Sequence, residues 1–493
     1  MISAQVLPNF TLRVPAEVIS RIFDELDLRA AYFIRVPGAV CSRWRVLALS
    51  HRAFNRDICV DWSNSPDINM ALFLAQLHAG IAADVDFDFR VYQPHPLAGR
   101  AKSPPLQDFL PHIVAHMHRC ASITVIHRSR PDLWRPLLDA LCARPAPRLQ
   151  ELCLWLLNGG DDDWGEEAHV AVRHSPDVSC GLAPRLRSLE LLGMALKLFP
   201  HAGPPIPAFS AVTSLRLVYL YRDPVLFGPL ASLTELRMLE IENDAVEPPP
   251  AAGDLFATLK LDSALFRCVP ASWSANIAAL DVASIPELTI TLRPTDGEDE
   301  LSSSLAMFVY PYKRCLQGAL DLAIREETSY SQTDWKIVVR APACSRTLTI
   351  QPDIGCFRAN QSARLLSLWA SRLFVVMRSI TSLTICTAHW PVLCSTPTFP
   401  LPDVETLALC YDGGPLPSKL ACAALPALRK VVLSLCPCAA PEAFRIDADI
   451  VALFLHDAIV AGPDRPSLVV QPPLHLVGDR STLQSLVHSI LES

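Results

Sequence analysis

One step, hydrophobic-x-x-hydrophobic-x-hydrophobic, recurs along this chain and limits its fold more than any other feature. It stands at Leu149, Leu152, Leu154, at Leu186, Leu189, Leu191, at Val212, Leu215, Leu217 and at Leu236, Leu239, Ile241. It continues at Phe256, Leu259, Leu261 and at Ile277, Leu280, Val282. Near the C-terminus it returns at Ile380, Leu383, Ile385, at Val404, Leu407, Leu409 and at Leu428, Val431, Leu433. Alternation of this kind marks a strand buried on one face. Successive starts from 186 to 277 lie 26, 24, 20 and 21 residues apart, and those from 380 to 428 lie 24 apart. A unit this short cannot bury its strand face alone, so copies must stack into a solenoid. Helical periodicity precedes the early strands: 67–78 before 85–89, 106–118 before 122–126, and 131–142 before 149–157.

The spacing falls in the range of leucine-rich repeats. The chain resembles that class, and Cys436 occupies the place where such repeats carry Asn or Cys. The phase weakens between 286 and 352, where strands are expected at 288–292, 320–324 and 337–339 around an acidic loop at 296–300. Three helices are expected further on. The segment 361–377 has Leu365, Leu368, Trp369, Leu373 and Val376 on one side. Asp449 is placed to N-cap 450–461, with Gly462 to end it. Ser481 and Gln484 have capping-box spacing, and Leu483, Leu486, Val487, Ile490 and Leu491 behind them could close the last repeat.

Of the 493 residues 51% are hydrophobic and 19% charged, which describes a folded chain and not a disordered one. The net charge of −7 argues against nucleic acid as a general partner. The 43 prolines against 18 glycines imply short, frequently stopped elements. The 16 cysteines lie within apolar runs and form no C-x-x-C pair, as expected of small buried hydrophobes in a reducing compartment. The N-terminus reads as no signal peptide, and the most apolar later run is too short to span a membrane. The expected location is cytoplasm or nucleus.

Near the N-terminus a different pattern appears. Pro15 suits the first turn of a helix. Val18, Ile19, Ile22, Phe23 and Leu26 follow at helical spacing; Val40, Trp44, Leu47 and Ala48 form a second stripe, with Arg43 and Arg45 opposite. Three short helices cannot bury this much apolar surface by themselves, so the surplus must face the rest of the chain or another protein.

Val14-Pro15-x-Glu17-Val18-Ile19-x-x-Ile22-Phe23-x-x-Leu26-x-Leu28, followed by Val40-Cys41-x-Arg43-Trp44-Arg45-x-Leu47-Ala48, resembles an F-box of the type with long spacers found in mushroom-forming fungi. The family's final Trp is missing, and Phe54 stands where it would anchor. The resemblance covers about a tenth of the chain. It implies docking to a Skp-type adaptor of a cullin-RING ubiquitin ligase. Pro15, Val18, Ile22, Leu26, Val40, Cys41, Trp44 and Leu47 would carry the domain, some in its core and some against the adaptor, with Pro15 and the Leu26 region foremost in contact. The expected architecture is therefore α/β: an N-terminal three-helix F-box-like domain at 12–57, then an irregular leucine-rich-repeat-like solenoid at 58–493 ending in capping helices. Its function would be substrate recognition, with the target protein on the repeats. The alternative is a repeat scaffold with no ligase role.

Little in the chain suggests catalysis. It has no phosphate loop, no G-x-G-x-x-G and no G-x-S-x-G elbow. His112, His116, His118 and Cys120 invite a metal reading, as do Cys410, Cys422, Cys436 and Cys438, but the spacing is poor in both and no metal or cofactor is expected. Asp161, Asp162, Asp163, Glu166 and Glu167 read as a solvated charge run. Pairing His389 with Cys394 has no support from sequence. Trp155, Trp164, Tyr219, Tyr221, Trp390 and Tyr411 fall in or just after strands and would serve as anchors for a protein ligand on a concave surface.

Overall fold

The computed structural model describes residues 14–25, 40–61, 66–82, 84–92, 108–128, 134–157, 182–193, 207–219, 230, 233–243, 259–269, 284–292, 318–329, 332–350, 378–395, 401–414, 416, 423–436 and 445–492. The chain divides into two compact units, Met1–Tyr219 with Gly228–Leu236, and Leu220–Phe227 with Arg237–Ser493. The protein is α/β, and its sheet is mostly parallel with strands in chain order.

Among the described residues of the first unit, the helices α1 (Ala16–Glu25), α2 (Ser42–Ser50) and α3 (Arg52–Arg56) precede β1 (Asp57–Asp61). Then come α4 (Pro66–Ala82), β2 (Phe87–Tyr92), α5 (Leu110–His116), β3 (Cys120–Arg128), α6 (Trp134–Ala143), β4 (Glu151–Leu157), β5 (Ser188–Gly193) and β6 (Ser214–Tyr219). These six strands pair in parallel, each with the next. One interior row runs Ile58, Phe89, Ile123, Leu152, Leu189, Leu215; a second runs Val60, Val91, Val125, Leu154, Leu191, Leu217. All twelve side chains are buried, so each repeat's strand is completed by its neighbours.

The second unit starts with β7 (Met238–Asn243), β8 (Ser263–Val269) and β9 (Glu287–Leu292). Its pairing corrects the expected phase. Leu239 and Ile241 face Ala264 and Phe266, which face Leu288 and Ile290. The repeat is therefore Leu261, Ala264, Phe266 and then Ile285, Leu288, Ile290. Phe256 and the 277–282 triplet lie outside the described residues, while Leu259 and Leu261 are buried ahead of β8 and not in it. With this phase the starts at Leu186, Val212, Leu236, Leu261 and Ile285 are evenly spaced at 24–26 residues. The small Ala264 in a Leu position hid the regularity.

The unphased middle is an antiparallel insertion. Strands β10 (Leu320–Ser329), β11 (Gln332–Ala341) and β12 (Cys344–Ile350) form a meander. It enters the sheet backwards: β12 lies parallel to β9, and β10 lies parallel to β13 (Ile380–Cys386). The interior row survives, because Leu288, Arg346, Val339, Leu322 and Leu383 are successive partners. Arg346 is fully buried in a place the other described repeats give to an apolar residue, and its guanidinium donates to the Pro286 and Ser345 carbonyls.

Repeats then resume through α7 (Trp390–Ser395), β14 (Thr406–Tyr411), β15 (Ala423–Leu425) and β16 (Lys430–Leu435). After β17 (Arg445–Asp447) come α8 (Ala448–Ala458), β18 (Ile459–Ala461), β19 (Ser467–Val470), β20 (His475–Val477), α9 (Ser481–Leu486) and β21 (Ser489–Glu492). Four details differ from expectation. Asp447, not Asp449, caps α8, its carboxylate accepting from the Asp449 N–H. Helix α8 stops at Ala458, and Gly462 is required instead by the adjoining backbone, because a Cβ there would run into the Pro426 carbonyl. At α9 the N-cap is Arg480, and Asp479 accepts from Ser481 through both N–H and Oγ. Ile490 and Leu491 belong to β21, which extends the sheet beside β19. The helix expected at 361–377 lies outside the described residues.

A tight turn precedes six of the strands. Leu149, Leu186, Val212, Leu236, Val404 and Leu428 each donate their N–H to the carbonyl three residues earlier, from Ala146, Ala183, Phe209, Leu233, Leu401 and Leu425, all buried. Pro147, Pro184, Pro402 and Pro426 fill the second place of four of these turns, where proline's fixed φ is favoured. Four of the 43 prolines are placed this way, and in those repeats they fold the chain back to start the strand.

Candidate functional site

The N-terminal helices hold one of the apolar surfaces that the described residues leave uncovered. In α1 the Val18 and Ile19 N–H groups both donate to the Pro15 carbonyl, so Pro15 stands at the N-cap, one place ahead of the first-turn position expected for it. Ile19 and Phe23, one turn apart, point inward and form a small core with Ala48 and Phe54. Val14, Trp44, Leu47 and Leu72 pack against it. The Phe23 ring meets Trp44 edge-on, with centroids 5.6 Å apart, and His51 at the same separation. The stripes around Phe23 and Trp44 therefore close into one bundle, with Phe54 beneath them where the sequence lacks a Trp.

The wide apolar face expected on α1 is split. Ile19 and Phe23 are inside, while Val18 and Ile22 remain 45% and 37% exposed. Val40 is exposed, and Cys41 is half-buried at the N-cap of α2. Trp44 and Leu47 support the core from partly buried positions. Pro15 is exposed. Leu26 lies outside the described residues. Two exposed apolar residues were missed from sequence, Val46 at 65% exposure and Leu49. They lie three apart on the side of α2 away from Trp44 and Ala48, a spacing that a helical projection of the second stripe would have exposed.

Polar contacts pin α1 to the segment after α2. Asp24 accepts from Arg52 at 2.9 Å, and His51 Nε2 lies 3.5 Å from the same oxygen. Burial holds the His51 imidazole below its ordinary pKa against the opposing pull of Asp24. Ser20, Asp24, Leu47, Ser50, His51 and Arg52 line an open cleft of about 410 Å³ there. Behind the helices, the fully buried Gln76 of α4 donates to the Phe54 and Asp57 carbonyls and fastens the bundle to β1.

Other candidates fare differently. Trp390 is fully buried against Phe454 and is core, not an anchor. Trp155 and Tyr411 stay partly accessible, and the Arg216 guanidinium sits 5.6 Å over the Trp155 ring while pairing with Glu190 at 2.6 Å. Tyr219 has no described side chain; Trp164, Tyr221, Cys422, Cys438 and the acidic run at 161–167 lie outside the described residues. The His116 and His118 rings are 6.3 Å apart, and burial, then the neighbouring cations and histidines, lower the His116 pKa. Among the described residues no group of three or more His, Cys, Asp or Glu side chains is placed to hold a metal ion. None of the described helices is long and apolar enough to cross a membrane. No protein-family model and no curated protein sequence matches the chain.

Proposed function

We propose that this protein is the substrate-recognition subunit of an SCF-type cullin-RING ubiquitin ligase, acting in the cytoplasm or nucleus. The N-terminal helices would dock a Skp-type adaptor, and the repeats would carry a target protein. The chain itself performs no chemistry in this reading. Ubiquitin transfer belongs to other subunits, and the chain raises the target's effective concentration beside them.

The observation that carries the reading is the exposed set Val18, Ile22, Val40, Val46 and Leu49 on helices whose inner faces are already packed around Phe23 and Trp44. Apolar side chains left outside a closed core are what a partner helix or groove would cover. Val18, Ile22 and Val40 belong to the F-box resemblance, and that resemblance names the adaptor as the partner.

Affinity purification of the full chain with recombinant Skp-type adaptor tests it. Wild type should retain the adaptor, and Ile22→Asp with Val46→Asp should lose it while keeping its thermal transition. A folded wild-type chain that never retains the adaptor overturns the reading and leaves the scaffold alternative.

A further inference from the structure

The second unit holds a cluster of three thiols that the proposed function does not use. Cys386 ends β13, Cys410 lies in β14, and Cys436 follows β16, so consecutive repeats each contribute one. All three are buried, and they form a cluster of their own. Cys386 and Cys410 are direct partners in the parallel pairing of β13 with β14. The Cys386 and Cys436 sulfurs are 3.8 Å apart, and Ser434 Oγ lies 3.7 Å from the Cys410 sulfur.

We propose that Cys410 and Cys386 form an oxidant-sensitive dithiol, which a peroxide converts to a disulfide joining β13 to β14. Strands in register keep their Cα atoms about 5 Å apart, inside the ~4.4–6.8 Å span that a disulfide needs. The chemistry takes two steps. The Cys410 thiolate attacks one peroxide oxygen, the O–O bond breaks, hydroxide leaves, and Cys410 becomes a sulfenic acid. The Cys386 thiol then attacks that sulfur, the S–O bond breaks, and the sulfenic oxygen leaves as water. Each cysteine gives up one electron, and hydrogen peroxide takes both.

Buried thiols are ordinarily inert because the thiolate is the reactive form. Cys120 and Cys153 obey that rule, since burial pushes both thiols well up. Cys410 departs from it. Hydrogen bonding with Cys386 outweighs burial, Ser434 and Arg325 add to it, and the thiol falls to about 7. Of the three it is also the most exposed, at 7% against 2% for the others, which gives a small oxidant its way in.

Peptide mapping of the native full chain tests this after brief hydrogen peroxide treatment and alkylation. The expected product is a Cys386–Cys410 cross-link, lighter by two hydrogens and reversed by dithiothreitol, with Cys41 and Cys142 still alkylated. Cys436→Ser should leave the link unchanged. Cys386→Ser should instead accumulate a dimedone-reactive sulfenic acid at Cys410. Full alkylation of Cys386 and Cys410 after denaturing the treated wild type would overturn the proposal without recourse to any variant. A Cys386–Cys436 link in place of the expected one would overturn the pairing.

Discussion

Helix α8 of the second unit and helices α1 and α2 of the first solve the same problem in opposite ways. Ala448, Val451, Ala452, Phe454, Leu455 and Ala458 are buried, six of the eleven residues of α8. Helix α1 buries only Ile19 and Phe23 of its ten, and α2 only Ala48 of its nine. Both regions have exposed apolar residues, Ile450 and Leu453 on α8 beside the set on α1 and α2. The difference is how much of the helix is held from within. Helix α8 is secured by its buried side, whereas short helices with so little burial gain most by covering their outer side with something else. Exposure alone does not mark a docking surface; exposure on an under-buried element is the stronger signal.

The largest expected effect tests the held side. Phe454→Ala removes a ring packed on Trp390, and Phe23→Ala removes the centre of the N-terminal core; each should cost about 3–5 kcal/mol where its surroundings cannot collapse. Urea unfolding checks both. The comparison breaks if Phe23→Ala is as mild as a surface change. Next comes the uncovered side. Ile22→Asp with Val46→Asp should weaken adaptor binding by at least ~30-fold, about 2 kcal/mol, while Leu453→Asp on α8 leaves it unchanged. Isothermal titration of each variant measures this, and equal losses from both would erase the distinction.

Smaller effects sharpen it. Gly462→Ala drives a methyl group at the Pro426 carbonyl and should lower stability by about 1–3 kcal/mol, seen as a shifted urea midpoint. Asp447→Ala removes the α8 cap and should cost ~1 kcal/mol, whereas Asp449→Ala should cost less. The smallest effect is proton-linked. Burial lowers the folded-state pKa of His51, so the unfolded chain binds more protons in the window between that value and the ordinary ~6.5. Stability from this group is complete above 6.5 and falls as pH drops through the window. Urea midpoints from pH 7.5 to 5 should therefore decline less steeply in His51→Gln than in wild type.

Much of the fold could be read directly because the signal was local. The strands at 149–157, 186–191, 212–217, 380–385, 404–409 and 428–433 announce themselves through residues two and three apart, and neighbours only confirm them. Misreadings came where the pattern was degenerate. Ala264 is too small to count as a repeat leucine, so Leu259 and Leu261 drew the phase five residues early. In the meander, Arg346 stands in a row of aliphatics, and no hydropathy pattern assigns it there.

At the candidate site the amino-acid order determined that α1 and α2 are helical and that α1 is amphipathic. It could not divide Ile19 and Phe23 from Val18 and Ile22, since residues one apart on a helix differ by only about 100° of arc. Which of them is covered depends on where Trp44, Ala48 and Phe54 come to lie. The sequence by itself set the repeat and the places where the backbone must turn, because periodicity and proline act within a few residues. Only the tertiary structure decided which apolar side chains stay outside, how the meander joins the sheet and which cysteines meet, because each of those outcomes depends on partners that are far apart along the chain.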